Sequence, residues 1–150
     1  MNHGSIVVAV DGSEASQDAL NHAVAMARQR NTPLAGIFIM DTQWADFIGN
    51  DWQSSKGARQ GFLDYIRKEQ EEQAAAARSQ FEQATRGMTQ AAFVVHAGDP
   101  TEVMLEQASS DATGMLIAGK RVFQVSGRPS LKALAQTLEK KATRPLLLFP

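Results

Sequence analysis

The sequence of 150 residues predicts an α/β fold, a parallel β-sheet covered by crossover helices. Three observations carry this. Short, continuously apolar and β-branched runs recur at residues 5–10, 34–40, 92–95, 114–118 and 146–149. Such runs suit strands buried on both faces, as in parallel sheets. Segments of helical spacing separate them, and turn residues close most of the runs.

The first run, SIVVAV, ends at Asp11-Gly12-Ser13, where Ser13 is placed to cap a helix. Ala19, Leu20, Ala23, Val24 and Ala27 then repeat at helical spacing as far as Asn31. Arg28 and Arg30 fall near the helix end, where the dipole favours cations. The second strand ends at Asp41. Residues 42–61 read as irregular, and a long helix is expected over residues 62–86, with Leu63, Ile66, Ala74, Ala77, Phe81 and Ala84 as its apolar stripe. Its polar middle, residues 69–73, is expected to project into solvent or meet a partner. After the third strand, Asp99, Pro100 and Glu102 form a helix start of N-cap, first-turn proline and capping-box acid. Residues 130–142 form the last amphipathic helix, and Leu146–Phe149 the fifth strand.

The length fits one domain spanning residues 1–150, with 43% hydrophobic and 21% charged residues. A net charge of −1 argues against a bulk electrostatic grip on nucleic acid or an anionic membrane. With no cysteine there is no disulfide, thiolate metal site or cysteine nucleophile. The N-terminal apolar run is too short for a signal peptide or a membrane span, so a cytoplasmic location is expected.

Ligands of open parallel sheets bind beyond the carboxyl ends of the strands. The groups there are Asp11, Asp41, the Gly98-Asp99 turn and Gly119 onward. Asp11 can accept from a ribose hydroxyl or an adenine amine, or serve as a turn carboxylate; both readings stay open. Residues 114–121 mimic a Walker A loop, but the intervening residues read as a strand and Arg121 stands where the hydroxyl belongs. His3, His22 and His96 have no metal-ligand spacing, and no nucleophile elbow surrounds a serine. Ser126, Gly127, Arg128 and Ser130 lead into a helix whose first N–H groups favour anions, and Lys132, Lys120 and Arg121 add charge. That stretch reads equally as an anion site or as a surface loop with solvated cations. Trp44, Phe47 and Trp52 are expected to fold over the strand ends or onto the long helix, with Phe62 and Tyr65 anchoring the segment on one helix face. Partner binding is the competing reason for these aromatics.

The stretches IVVAVDGSEAS, HAGDPTEVMLEQA and GMLIAG, with the C-terminal RPLLLF, resemble the universal stress protein domain over nearly the whole chain. The resemblance implies a three-layer α/β/α fold of the adenine nucleotide alpha hydrolase-like type. It also implies a five-stranded parallel sheet of order 3-2-1-4-5 and a homodimer built through the last strand, Leu146–Phe149. Nucleotide-binding members carry Gly, two residues, Gly, nine residues, then Gly with Ser or Thr. Here those positions hold Gly119, Val122 and the pair Lys132-Ala133. Valine does not readily give close backbone approach or positive φ, and alanine offers no hydroxyl. The resemblance, with this departure, implies a non-catalytic stress-response regulator or adaptor that requires no cofactor and whose ATP binding is altered or lost. The alternative is an ATP-binding member with slow hydrolysis, using Asp11 and the loop from Gly119 to Lys132.

Overall fold

The computed structural model describes residues 4–49, 56–123 and 134–150. Five strands form one parallel sheet: β1 (Ser5–Ala9), β2 (Leu34–Asp41), β3 (Ala91–Gly98), β4 (Thr113–Gly119) and β5 (Leu146–Phe149). The spatial order is β3-β2-β1-β4-β5, as the family resemblance implies. The helices are α1 (Glu14–Arg30), α2 (Trp44–Ile48), α3 (Lys56–Ala84), α4 (Pro100–Gln107) and α5 (Leu134–Lys141). From β1 the chain first steps outward to β2 and β3, then crosses back to β4 and β5. With right-handed crossovers, α1 and α3 fall on one face and α4 and α5 on the other. The packing agrees: α1 touches α3, and α4 touches α5.

The core is built around β1, whose residues Ile6 to Ala9 are all buried together with Val10. On α1 the buried residues Ala19, Leu20, Ala23 and Ala27 include the alanines that let the helix lie close to the sheet. Gly36 of β2 has a packing reason: a Cβ there would come within 2.4 Å of the Phe81 ring on α3. Asn31 closes α1 in the left-handed conformation (φ 50°), its N–H bonded to the terminal carbonyls.

Three elements differ from the sequence reading. A short helix, α2, occupies part of the stretch read as irregular, and α3 begins at Lys56 rather than at residue 62. Two glycines in residues 56–61 mask that start. Arg59 supports it, donating from Nε to Gly49 O (2.9 Å) and from Nη2 to Ala45 O (3.1 Å), so a cation on α3 meets the carbonyl end of α2. At its other end α3 stops at Ala84, because Thr85 bonds back to Phe81 O and Gly87 turns the chain with φ 82°. β3 extends beyond the apolar run 92–95, since it pairs with β2 along its full length, from Leu34 opposite Ala91 to Asp41 opposite Gly98. The polar middle of α3 is also not wholly solvated. Gln70 is buried and donates from Nε2 to Asp41 O at 3.2 Å.

At 29 residues α3 is roughly 43 Å long, whereas an eight-residue strand spans about 26 Å. The excess overhangs the carboxyl ends of β2 and β3, and α2 packs beneath it. This overhang frames one side of the site.

Candidate functional site at the strand switch

The strand order reverses between β1 and β4, so the chain leaves both strands at the same crevice. Asp11 follows β1 and Gly119 ends β4, and the structure brings the two loops together. Asp11 is 5% exposed, and a carboxylate so buried needs hydrogen-bond donors. Its Oδ1 accepts from Ser13 N (3.0 Å) and from Ser13 Oγ. Its Oδ2 accepts from the backbone N–H of Phe123 at 3.0 Å. Both carboxylate oxygens therefore have donors from the protein itself.

The turn after β4 is tight, with Val122 N–H donating to Gly119 O at 3.1 Å. It points Lys120 and Arg121 to solvent and turns Val122 and Phe123 inward, each 3% exposed. The Phe123 ring meets Phe38 of β2 edge-on, with centroids 5.7 Å apart. Phe123 holds φ 65°, a conformation that strains a non-glycine residue by about 1–3 kcal/mol and persists where the surroundings over-determine it. Burial of the ring and the bond to Asp11 supply that determination. Among the described residues, a cavity of about 10 Å³ lies between Phe38, Ile39, Asp41, Gln70, Pro100 and Phe123. That is at the lower limit for one water molecule.

The β1–α1 loop is fastened from α3 as well. Gln80 Oε1 accepts from Gly12 N (3.1 Å) and Ser16 Oγ (2.8 Å), while its Nε2 donates to Ser13 O (3.0 Å) and Gln17 Oε1 (3.2 Å). Ser13 caps α1 by accepting from Ser16 N at 3.1 Å. Neither Gln80 nor Gln70 was singled out in the sequence. The available signal is their position: Gln70 lies four residues before Ala74 and Gln80 three after Ala77, on the same face as the apolar stripe.

Of the sequence-predicted site residues, Asp11, Gly119, Lys120 and Arg121 share this crevice or its rim. Ser126, Gly127, Arg128, Ser130 and Lys132 lie outside the described residues. So does Trp52. Trp44 is buried against Phe47 and Phe62, with centroids 5.6 and 6.0 Å away. It sits under α3, beside an open cleft of about 460 Å³ lined by Met40, Leu63, Ile66, Arg67 and Gln70. Its Nε1 is buried, with no hydrogen-bond partner among the described residues. Among the described aromatics Phe123 enters the crevice, while Trp44 packs farther out, beneath α3. Phe62 and Tyr65 do not anchor one face together, because Tyr65 is 58% exposed. Three positions turn a helix by about 300°, which leaves the two on neighbouring but different sides. Among the described residues no group of three His, Asp or Glu is placed to hold a metal ion. No helix among them is long and apolar enough to cross a membrane.

A family model described as the universal stress protein family matches residues 3–150. The chain belongs to that family. Comparison with curated proteins finds no match. Among solved structures, the universal stress protein UspA from Lactobacillus plantarum is similar at 17% identity and a TM-score of 0.69, covering 100% of this chain and 99% of that one. A universal stress protein in complex with cAMP has 19% identity and a TM-score of 0.62, covering 98% of this chain and 97% of that one. The universal stress protein from Archaeoglobus fulgidus in complex with dAMP has 19% identity and a TM-score of 0.59, covering 100% of both chains. These likenesses place the chain in the family's fold.

The Phe123 ring is a structural part of this crevice, so its removal is expected to be costly. Phe123→Ala should lower stability by about 3 kcal/mol in urea unfolding, the usual loss for a buried phenylalanine. A loss under about 1 kcal/mol would mean that the ring does not fill the crevice in solution.

Proposed function

We propose that this universal stress protein acts by binding rather than catalysis, as a stress-response regulator or adaptor with altered or lost ATP binding. The observation that carries the reading is the bond from Phe123 N–H to Asp11 Oδ2, with the Phe123 ring against Phe38. The carboxylate that would receive an adenosine hydroxyl or amine already has donors, and Val122 and Phe123 beside it are buried. Val122, at the family's second glycine position, is buried and adds bulk where close backbone approach to a phosphate is needed. A second reading, an ATP-binding member with slow hydrolysis, is favoured by family membership and by the solved relatives in complex with cAMP and dAMP. It requires Phe123 to leave the crevice and Asp11 to exchange that donor for one from the nucleotide.

The same proposal includes a homodimer paired through β5 and a location in the cytoplasm. β5 ends the sheet beside β4, and all four of its residues are only partly buried. Its ladder sets which groups face outward. Pro145 O accepts from Leu116 N and Phe149 O from Lys120 N, so alternate residues 145, 147 and 149 face β4. Leu146 and Leu148 then turn their backbone groups to the open edge, a template for a second copy.

Two outcomes follow. Calorimetry with Mg-ATP should detect no binding tighter than about 100 μM, equivalent to about 5.5 kcal/mol; micromolar affinity would support the ATP-binding reading instead. Leu148→Pro removes an outward donor while sparing the bonds to β4, so it should shift a dimer toward monomer in sedimentation without unfolding the chain. An unchanged dimer in that variant would place the interface elsewhere.

A further inference from the structure

The opposite end of the sheet, where the strands begin, holds a larger cavity of about 590 Å³. Its lining includes Arg30, Arg144, Thr32, Met115 and the backbones of Gly4 and Gly114, and no acidic residue is among the described ones that line it. We propose that this cavity binds a small molecule through a phosphate or carboxylate oxyanion held between Arg30 and Arg144.

Structural bonding uses only part of the two guanidinium groups. Cations are common where helices end, because they offset the dipole and the terminal carbonyls. On α1, however, several of those carbonyls have other partners: Asn31 N–H reaches Arg28 O at 3.3 Å, Thr32 N–H reaches Ala27 O at 3.0 Å, and Thr32 Oγ1 donates to Arg30 O at 3.3 Å. Arg28 is also used, donating from Nη2 to Arg86 O at 3.1 Å. The Arg30 guanidinium has no hydrogen-bond or acidic partner among the described residues. Arg144 lies past the end of α5, and its backbone N–H bonds to Ala108 O at 2.8 Å. Its Nε donates to Thr113 O at 2.8 Å, which fixes the plane of the fork. The two Nη groups keep their donors for a ligand, in the geometry that suits an oxyanion.

The floor of the cavity is unusual backbone. The β1–β4 ladder shifts register between Ser5 and Ile6, pairing Ser5 with Thr113 and Ile6 with Met115, so Gly114 is an inserted residue without a Cα partner. Gly4 faces it with φ 73°, and a Cβ at Gly4 would lie 2.7 Å from both Ala112 O and Gly114 N. Only glycine fits at position 4, and Gly4 and Gly114 line the cavity with the two arginines. The volume is in the usual range for small-molecule sites. The cavity is separated from the Asp11 crevice by the length of β1.

Backbone amide NMR tests this with inorganic phosphate and, in parallel, citrate, at matched ionic strength. In the wild-type chain one or both anions should shift the Gly4 and Gly114 amides saturably, with a Kd on the order of 1 mM. The tighter of the two identifies phosphate or carboxylate as the preferred group. Arg30→Gln should weaken binding about tenfold, the effect of one charge-assisted hydrogen bond, and Arg144→Gln at least as much. Arg30 is exposed, so R30Q keeps the test valid if R144Q unfolds through loss of the Thr113 bond. Lys140→Gln, a cation outside the lining, should leave the affinity unchanged. Absence of saturable shifts with either anion, or equal affinity in R30Q and wild type, would overturn the proposal.

Discussion

A carboxylate buried at the end of the central strand must find donors, and where it finds them decides the shape of everything around it. Asp11 takes one set from Ser13, two residues along, which starts α1. It takes the other from Phe123, 112 residues away. That single long-range bond pulls the turn after β4 down onto β2. Val122 and Phe123 go inward as a result, the ring meets Phe38, and the left-handed backbone at Phe123 is held in place. Gln80 fastens the same loop from the third side. In this arrangement both oxygens of Asp11 accept from groups of the chain itself.

The same topology gives the two ends of the sheet opposite chemical character. In a parallel α/β fold each helix starts near the carboxyl ends of the strands and finishes near their amino ends. Carboxylates are favoured at the first end and cations at the second. Asp11 and Asp99 accordingly stand where α1 and α4 begin, and Asp41 accepts from Gln43 N just ahead of α2. Arg28 and Arg30 close α1, and Lys140 and Lys141 close α5. A chain with a net charge of −1 thus carries two distinct local environments. Arg30 and Arg144 are set apart from the helix-closing Lys140 and Lys141 by lining one cavity with Gly4 and Gly114.

Much of the fold was legible because it rests on local chemistry. The apolar runs, the Ser13 and Asp99 caps, and the alanine stripe of α1 each state their element in a few residues. The parallel order of the strands came through family resemblance, since nothing in the spacing alone fixes it. Less local features were hidden. The start of α3 depends on Arg59 reaching back to α2, and the role of Gln80 depends on which helix face meets the β1–α1 loop. At the site, the sequence identified Asp11 and the altered residue at Val122, and a pocket filled by Val122 or Phe123 is one of the outcomes it leaves open. The bond from Phe123 N–H to Asp11 is not legible there, because it joins residues 112 positions apart.

The central claim is that Phe123 N–H holds the second oxygen of Asp11. Amide hydrogen exchange at Phe123 reads this directly. The account predicts protection of about a thousandfold or more over an unstructured amide, as for groups released only by an opening of several kcal/mol, and no change on adding millimolar Mg-ATP. Exchange at the rate of an open loop, or a loss of protection caused by ATP, would contradict it.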